Sequence, residues 1–136
     1  MRTVVAICFA LSCFSYSNLF AQKHSQRDTI YSLQAVDRKP EFKGGDEEMY
    51  KFLSKNLRYP PKAIEKRIEG TVLFQFIINA DGSIGQIQTL KAIGGGCDEE
   101  ALRVLKKFPK WTPAIKNGIP VSVDYKLPIK FKLGTD

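Results

Sequence analysis

The chain has 136 residues, 43% of them hydrophobic, which is enough for one compact domain and too little for two. Its formal net charge is +7, but the basic residues are spread along the sequence. This pattern favours a solvated basic surface with no specific role. The alternative is that the basic surface binds an anionic polymer or an acidic peptide. The one histidine, His24, lies in a polar stretch near the N-terminus, which argues against histidine-assisted catalysis and histidine-ligated metals.

Residues 1–21 have the pattern of a secretory signal peptide. Arg2 precedes an apolar run, and the small residue Ala21 stands before Gln22, so we predict export with cleavage near Ala21. An uncleaved membrane anchor is an alternative, but it normally needs about 20 apolar residues, and polar residues interrupt this run. A lipoprotein cysteine at Cys13 is a second alternative, with a poor flanking sequence. Export argues against nucleic acid as a partner.

Cleavage would leave a single cysteine, Cys97. One cysteine cannot form a disulfide within the domain, so the core alone must hold the fold together. We interpret Cys97 as a small buried packing residue and not as a reactive thiol. Its acidic neighbours are expected to raise the pKa of the thiol.

The mature chain is predicted to begin with a flexible leader, 22–39, because this stretch is polar with only scattered apolar residues. The domain itself is predicted to span 40–134. Gly44-Gly45 is a turn signal, and the acidic residues after it suit the start of a helix. Apolar residues then recur at helical spacing from Met49 to Leu57, which predicts a first helix with one apolar stripe.

A short helical piece and a hairpin are predicted next. Tyr59-Pro60-Pro61 interrupts the first helix, and a second helical piece follows and ends at Gly70. The run 71–79, "TVLFQFIIN", is apolar on both faces and predicts a central strand. Asp81-Gly82 predicts a hairpin turn, and the next run predicts a strand with a bulge near Gly85.

The segment "GGGCDEE" at 94–100 contains three glycines but lacks the lysine and hydroxyl residue of a phosphate-binding loop. Its carboxylates would repel a phosphate, and they suit the start of a helix, which we predict over 98–108 with Glu99 contacting Arg103 one turn later. Pro109 ends this helix. Trp111 is interpreted as a core residue in preference to an exposed binding platform.

The last strand is the most informative one. In "PVSVDYKLPIKFKL", Pro120 to Leu133, apolar and polar residues alternate, which predicts a strand with one buried face. Pro128 cannot donate a backbone hydrogen bond, so it predicts that the strand lies at a sheet edge. Exposed edges can pair with another chain. The element order predicts an α+β fold with two helices packed on one face of a three-stranded antiparallel sheet.

No catalytic, metal or cofactor site is predicted. Cys97 has no visible base partner, and Asp98, Glu99 and Glu100 point in different directions from a helix. Asp81 is interpreted as a turn residue, because the ligand spacing of a calcium loop is missing. The chain is therefore predicted to be a binding module and not an enzyme.

Residues 59–133 resemble the C-terminal domain of the TonB family of energy transducers. The resemblance is carried, in order, by "YPPKAIEKR", "EGTVLFQFIINADGSI", "DEEALR", "PKWTPA" and "NGIPVSVDYKLPIKF". It implies a periplasmic domain that binds the TonB box, a short segment of an outer-membrane receptor, in TonB-dependent transport. It also implies that the box adds as a strand beside the last strand of the domain.

The resemblance implies two groups of partner-binding residues. The first lies on the last strand and comprises Val121, Ser122, Val123, Asp124, Tyr125, Lys126, Leu127, Ile129, Lys130 and Phe131. The second lies before the Tyr-Pro pair and comprises Asn56, Leu57 and Arg58.

Other functions remain open at this point. A minimal membrane-anchored transducer would retain its N-terminus. A structural envelope protein would use its basic surface to hold peptidoglycan or another anionic polymer. Two copies could also pair through the edge strand as a homodimer.

Overall fold

The computed structural model describes residues 29–134, so the predicted signal peptide and its cleavage site lie outside the described residues. The elements follow in chain order as β1 (Ile30–Tyr31), α1 (Asp46–Asn56), α2 (Pro61–Glu65), β2 (Gly70–Ile78), β3 (Ile84–Lys91), α3 (Cys97–Leu105), β4 (Ala114–Lys116) and β5 (Ile119–Phe131).

β2 and β5 form the regular centre of the sheet. They pair antiparallel from Gly70–Phe131 to Ile78–Val123 with no irregularity in register. In both strands every second side chain is buried, as the period of two predicts. On β2 these buried side chains are Val72, Phe74, Phe76 and Ile78, and Ile77 on the other face is buried as well.

β3 flanks β2 on the other side and is much less regular. The β2–β3 register shifts twice, between Leu73 and Phe74 and between Gln75 and Ile77. At the second shift, Gln86 has a φ of 50°, the conformation of an extra residue accommodated in a bulge. The bulge predicted near Gly85 is confirmed.

The predicted α+β class is confirmed, but the predicted three-stranded antiparallel sheet is incomplete. The sheet has five strands and is mixed: β1 pairs parallel with β5, in the register Ile30–Ser122 and Tyr31–Val123, and β4 pairs antiparallel with Ile119–Val121. Strands of two and three residues are too short for a period of two to be visible in the sequence.

Part of the predicted leader packs on the domain. Beyond β1, Arg38 bridges Ile115 of β4, and the Asp37 and Arg38 amides both donate to the Ile115 carbonyl, at 2.9 and 3.1 Å. Leu33 and Val36 pack against the core. The scattered apolar residues of this stretch therefore have burial sites, although their spacing follows no regular period.

The helices number three among the described residues, not two. α1 agrees with the predicted first helix, and the piece after Pro60 closes into a helix of five residues, α2. α3 begins at Cys97 and ends at Leu105, three residues short of the predicted end. Arg103 bonds Glu100 and not Glu99, with its Nη2 2.6 Å from Glu100 Oε1.

Aromatic side chains build the core between the helices and the sheet. Trp111 is 3% exposed, so its interpretation as a core residue is confirmed. Its ring lies 5.5 Å from that of Phe42, and 5.1 Å from that of Tyr125 on β5. Offset and edge-on contacts of this kind add to the free energy gained by burial. The core thus connects β5 with the residues ahead of α1.

Candidate functional site: the free side of β5

β5 presents one buried and one solvent-facing surface. Val121, Val123, Leu127, Ile129 and Phe131 are buried, whereas the lysines between them are exposed. The predicted alternation is therefore confirmed.

The flank of β5 that faces away from β2 is only partly paired. Val123 is in register with Ile78 of β2 and also with Tyr31 of β1, so β1 lies on the flank opposite β2. The prediction that the whole last strand lies at a sheet edge is therefore wrong, because β5 stands between β1 and β2 in the sheet order. Beyond Val123, none of the strands described between residues 29 and 134 pairs with that flank. We call this open flank, from Asp124 to Phe131, the free side of β5.

The register explains how the strand accommodates Pro128. In an antiparallel pair, alternate residues direct their backbone groups at the neighbouring strand. The Asn79 amide donates to Ser83 O across the β2–β3 turn, so Asn79 faces β3 and Ile78 faces β5. By this alternation Leu73 faces β3, and its partner Pro128 faces the free side. The missing N–H therefore removes no hydrogen bond to β2.

The same alternation identifies the backbone groups that remain open. Tyr31, the last residue of β1, is in register with Val123 and therefore covers the outward backbone of Asp124. After Asp124, the backbones of Lys126, Pro128 and Lys130 point to the free side. Lys126 and Lys130 each offer an N–H and a C=O, and Pro128 offers only its C=O. An added strand would therefore find two complete pairing positions separated by an incomplete one.

A groove of about 440 Å³ runs between α1 and the free side of β5. The helix contributes mostly apolar side chains, and the strand contributes the stretch around Pro128. Its lining residues are Tyr50, Leu53, Ser54, Leu57, Thr71, Pro128, Ile129 and Lys130. We call it the α1 groove.

The end of α1 brings the second predicted group of residues to this groove, but only one of its three members lines it. Leu57 is a lining residue. The Asn56 carbonyl accepts from Arg103 Nη2 at 2.8 Å, and the Arg58 amide donates to Glu100 Oε1 at 2.9 Å. The Glu100–Arg103 pair of α3 therefore fixes the backbone on both sides of Leu57.

The Glu100–Arg103 pair joins a carboxylate to a guanidinium of opposite charge. Hydrogen bonding from Arg103 holds the pKa of Glu100 below its ordinary value, and the Arg58 amide adds to the effect. The carboxylate is thus favoured in its charged form. The backbone that carries Leu57 is consequently anchored to α3 by charge-assisted hydrogen bonds.

Tyr125 lies on the buried face of β5, close to the start of α1. Burial raises the pKa of Tyr125, with further contributions from Asp46 and Tyr50 of α1. The phenol therefore stays neutral at any physiological pH. Together with Tyr50, which is 59% exposed, it places two aromatic side chains beside the free side.

The first residues of the predicted partner strand are less accessible. Val121 pairs with Ala114 of β4, and Ser122 and Val123 pair with β1. All three side chains are buried, and Ser122 Oγ accepts from the Ala80 amide at 3.2 Å. The structure thus divides the predicted site into a covered part, 121–123, and an open part, 124–131.

Gln75 of β2 and Asp124 of β5 form a partly buried polar pair at the start of the free side. Gln75 Nε2 donates to Asp124 Oδ2 at 2.7 Å. The other carboxylate oxygen, Oδ1, is buried and has no hydrogen-bond partner among the described residues. Asp124 is therefore oriented by β2 and not by solvent.

Five residues that line the α1 groove are not among the predicted site residues, namely Tyr50, Leu53, Ser54, Thr71 and Pro128. Leu53 belongs to the apolar stripe of α1, and the sequence gives no sign that the stripe extends beyond the core. Tyr50 lies outside that stripe on an otherwise polar helix surface. An aromatic residue at such a position is the one sequence signal that could have indicated a binding groove.

Other candidate features of the sequence have structural roles. Asp98 accepts the Ile93 and Gly94 amides at 2.8 and 2.9 Å, so it holds the glycine-rich loop. Cys97 is fully buried, and burial, followed by Asp98 and Glu99, raises the pKa of its thiol. The burial confirms the interpretation of Cys97 as a small buried packing residue.

Residues 29–134 offer neither a metal site nor a membrane-spanning helix. No group of three or more His, Cys, Asp or Glu side chains in this range could hold a metal ion. No helix in the same range is both long and apolar enough to cross a membrane.

The fold and the site together define an α+β domain with a mixed sheet whose long last strand keeps one flank open. The sequence model of the family described as "Gram-negative bacterial TonB protein C-terminal" matches residues 55–133. The chain belongs to this family.

One curated relative and one solved structure give the extent of the similarity. Protein TonB of Vibrio cholerae serotype O1 is 38% identical over 77 residues, which are 56% of this chain and 31% of that protein. The solution NMR structure of the Helicobacter pylori TonB C-terminal domain matches with a TM-score of 0.50 and 33% identity, over 66% of this chain and 95% of that one. The chain thus spans about a third of the length of the curated relative.

Proposed function

We propose that this protein is a periplasmic binding module that takes part in TonB-dependent transport. In this proposal it recognises the TonB box of an outer-membrane receptor by adding it as a strand to the free side of β5. Family membership supports the transport context. The observation that carries the binding mode is the open flank of β5 beside the α1 groove.

The geometry supports this mode in two ways. An edge strand with open backbone groups gives an extended peptide its hydrogen bonds, and a neighbouring groove gives selectivity through alternate side chains. β5 supplies the backbone groups at Lys126 and Lys130, and α1 supplies Leu53 and Leu57 as apolar contacts. A peptide strand would thus be held on its backbone side by β5 and on one face by α1.

The proposal predicts where a bound peptide acts on the protein. A titration of the chain from Gln22 with a TonB-box peptide, followed by backbone amide NMR, should shift signals from Asp124 to Phe131 and at Leu57. Signals of β3, on the far edge of the sheet, should shift little. Shifts confined to β3 or to α2, or no shift at all, would contradict strand addition at β5.

A pair of variants at one position separates backbone pairing from side-chain contacts. Lys126→Pro removes an N–H that faces the free side, whereas Lys126→Ala removes only the side chain. The proposal expects the Pro variant to lose up to about tenfold in affinity, since one backbone hydrogen bond to the peptide is lost. Comparable binding by the two variants would refute the pairing at this residue.

The same free side could pair two copies of the domain. Sedimentation over a range of concentrations, with and without the peptide, separates the two uses of the flank. The proposal expects a monomer that binds peptide. A dimer that excludes the peptide would favour self-pairing instead, and binding to peptidoglycan with no response to the peptide would favour the structural envelope role.

A further inference from the structure

The two faces of the free side of β5 differ sharply in chemistry. On the solvent-facing surface of the sheet, Lys126 and Lys130 are exposed, and within residues 29–134 neither makes an ion pair. Their direct neighbours on β2 are Gln75 and Thr71, which carry no charge. The two ammonium groups are therefore uncompensated by the strand beside them.

The opposite face of the same flank is mostly apolar. There the lining of the α1 groove includes Tyr50, Leu53, Leu57 and Ile129, and Ser54, Thr71, Pro128 and Lys130 complete it. Tyr50 remains 59% exposed, although an aromatic side chain gains considerable free energy when it is buried. This face is suited to apolar side chains that enter from an added strand.

A strand carries its side chains alternately on the two faces of a sheet. We propose that the segment which binds β5 alternates apolar and acidic residues, with the apolar side chains in the α1 groove and the acidic ones beside Lys126 and Lys130. This rests on the proposed function and adds the chemical class of the partner. The segment is short: β1 occupies the flank up to Val123 and β5 ends at Phe131, which leaves room for roughly six to eight residues.

The spacing of the lysines sets the register of that pattern. Lys126 and Lys130 lie four residues apart on one face, with Pro128 between them. Two acidic residues four positions apart in the partner match them, and the middle one of the three residues between these two lies opposite Pro128, where one hydrogen bond is missing. An incoming strand shifted by one residue would direct its acidic side chains into the apolar groove, which is strongly unfavourable.

Three synthetic peptides of eight residues test the charge selectivity. Each alternates valine with a second residue, which is Glu in the first, Gln in the second and Lys in the third. We expect the Glu peptide to bind about fivefold more tightly than the Gln peptide at low salt, from two exposed ion pairs, and the Lys peptide to bind most weakly. In 1 M NaCl the differences should fall below about twofold.

A charge reversal on the protein is the decisive measurement. The double variant K126E/K130E should invert the order of the three peptides, so that the Lys peptide binds most tightly. The control K91E/K107E changes the same number of charges at exposed positions away from the groove and should preserve the original order. If K126E/K130E is unfolded by circular dichroism, K126A/K130A should bind all three peptides with similar affinity.

Each alternative gives a different result. If the lysines only protect the edge from unwanted pairing, the order of the peptides does not follow the charge at Lys126 and Lys130, and the inference is overturned. If a Glu–Val peptide of scrambled order binds as tightly as the alternating one, the attraction is that of a generic polyanion, and the inference also fails. Binding of a TonB-box peptide without charge selectivity would leave the proposed function intact, whereas failure of every peptide would remove both.

Discussion

The two strands that pair with β2, namely β3 and β5, expose their other flanks in opposite ways. The edge of β3 is irregular, with two register shifts and a left-handed residue at Gln86. β5 runs straight against β2 through nine successive residue pairs and keeps an apolar groove beside its open flank. Bulges are a common way to prevent unwanted pairing at an edge. The difference indicates that pairing is blocked at β3 and left available at β5.

The strongest test of this contrast places proline on each flank of β5. Ile129 directs its N–H at Val72 of β2, by the alternation that places Pro128 outward. Ile129→Pro removes that hydrogen bond and a buried side chain, so we expect a loss of about 3 to 6 kcal/mol in the free energy of unfolding, or no folding at all. Lys126→Pro should lower it by less than about 1 kcal/mol. Urea denaturation measures both, and equal losses would show that the assignment of the two flanks is incorrect.

A second test acts on the turn where β3 begins. Gly82 has a φ of 87°, and a Cβ there would lie 2.0 Å from the Trp111 carbonyl oxygen. Gly82→Ala should therefore destabilise the domain by about 2 to 4 kcal/mol, from overpacking and backbone strain together. Thermal unfolding followed by circular dichroism measures the loss. Gly118→Ala is the control, because its φ is 75° and nothing lies within 4 Å of its Cβ position, so it reports the backbone strain alone.

The bulge in β3 gives a smaller and more local effect. Because Gln86 is exposed with a φ of 50°, Gln86→Gly should raise the free energy of unfolding by up to about 1 kcal/mol. Gln86→Val should lower it by about 1 to 2 kcal/mol, since a β-branched residue is strained in this conformation. Gln88→Val, at an exposed position in register with Gln75, should have little effect. If the valine variants at 86 and 88 behave alike, the bulge does not constrain this edge.

The smallest expected effect concerns the anchor of the α1 groove and its dependence on pH. The pKa of Glu100 is lowered in the folded state, so its contribution to stability is complete above the unfolded value of about 4.5 and is lost as pH falls through the folded value. Glu100→Gln should cost about 1 kcal/mol at pH 7. The difference between wild type and variant should shrink as the pH falls below about 4.5. A difference that is constant with pH would mean that the charge on Glu100 does not contribute.

Residue patterns predicted the parts of the fold that repeat over many residues. The strand β2 follows from its apolar run, β5 from alternation, the hairpin from the Asp81-Gly82 turn signal and the stripe of α1 from helical spacing. Pro128 correctly indicated an open flank at its own position, but the prediction that the whole strand lies at a sheet edge is wrong, because β1 pairs with Ser122 and Val123. β1 and β4 were not predicted, because strands of two and three residues are too short to show an alternating pattern. The pairing of β1 also depends on contacts between residues that are distant in the sequence.

The sequence could predict which strand carries the candidate site, but not which neighbouring elements cover or line it. The sequence and its family resemblance indicated β5 as the pairing strand. They could not show that β1 covers Ser122 and Val123, nor that Tyr50 comes to lie beside the free side. Both facts depend on how α1 and the segment before it pack on the sheet. The sequence predicted Glu99 as the partner of Arg103, but the structure has Glu100 in that role. This too depends on packing, because Glu100 also accepts from the Arg58 amide.

Because Cys97 is buried, its reaction with a thiol reagent reports how often the core of the domain opens. A chain that begins at Gln22 has no other thiol, and the Cys97 side chain is 0% exposed with a raised pKa. A thiol reagent can therefore reach it only when the core opens, so the labelling rate follows the opening equilibrium. A ligand that stabilises the closed domain should slow this reaction in proportion to its occupancy. Binding could thus be followed through the labelling rate of Cys97, with no label attached near the binding surface.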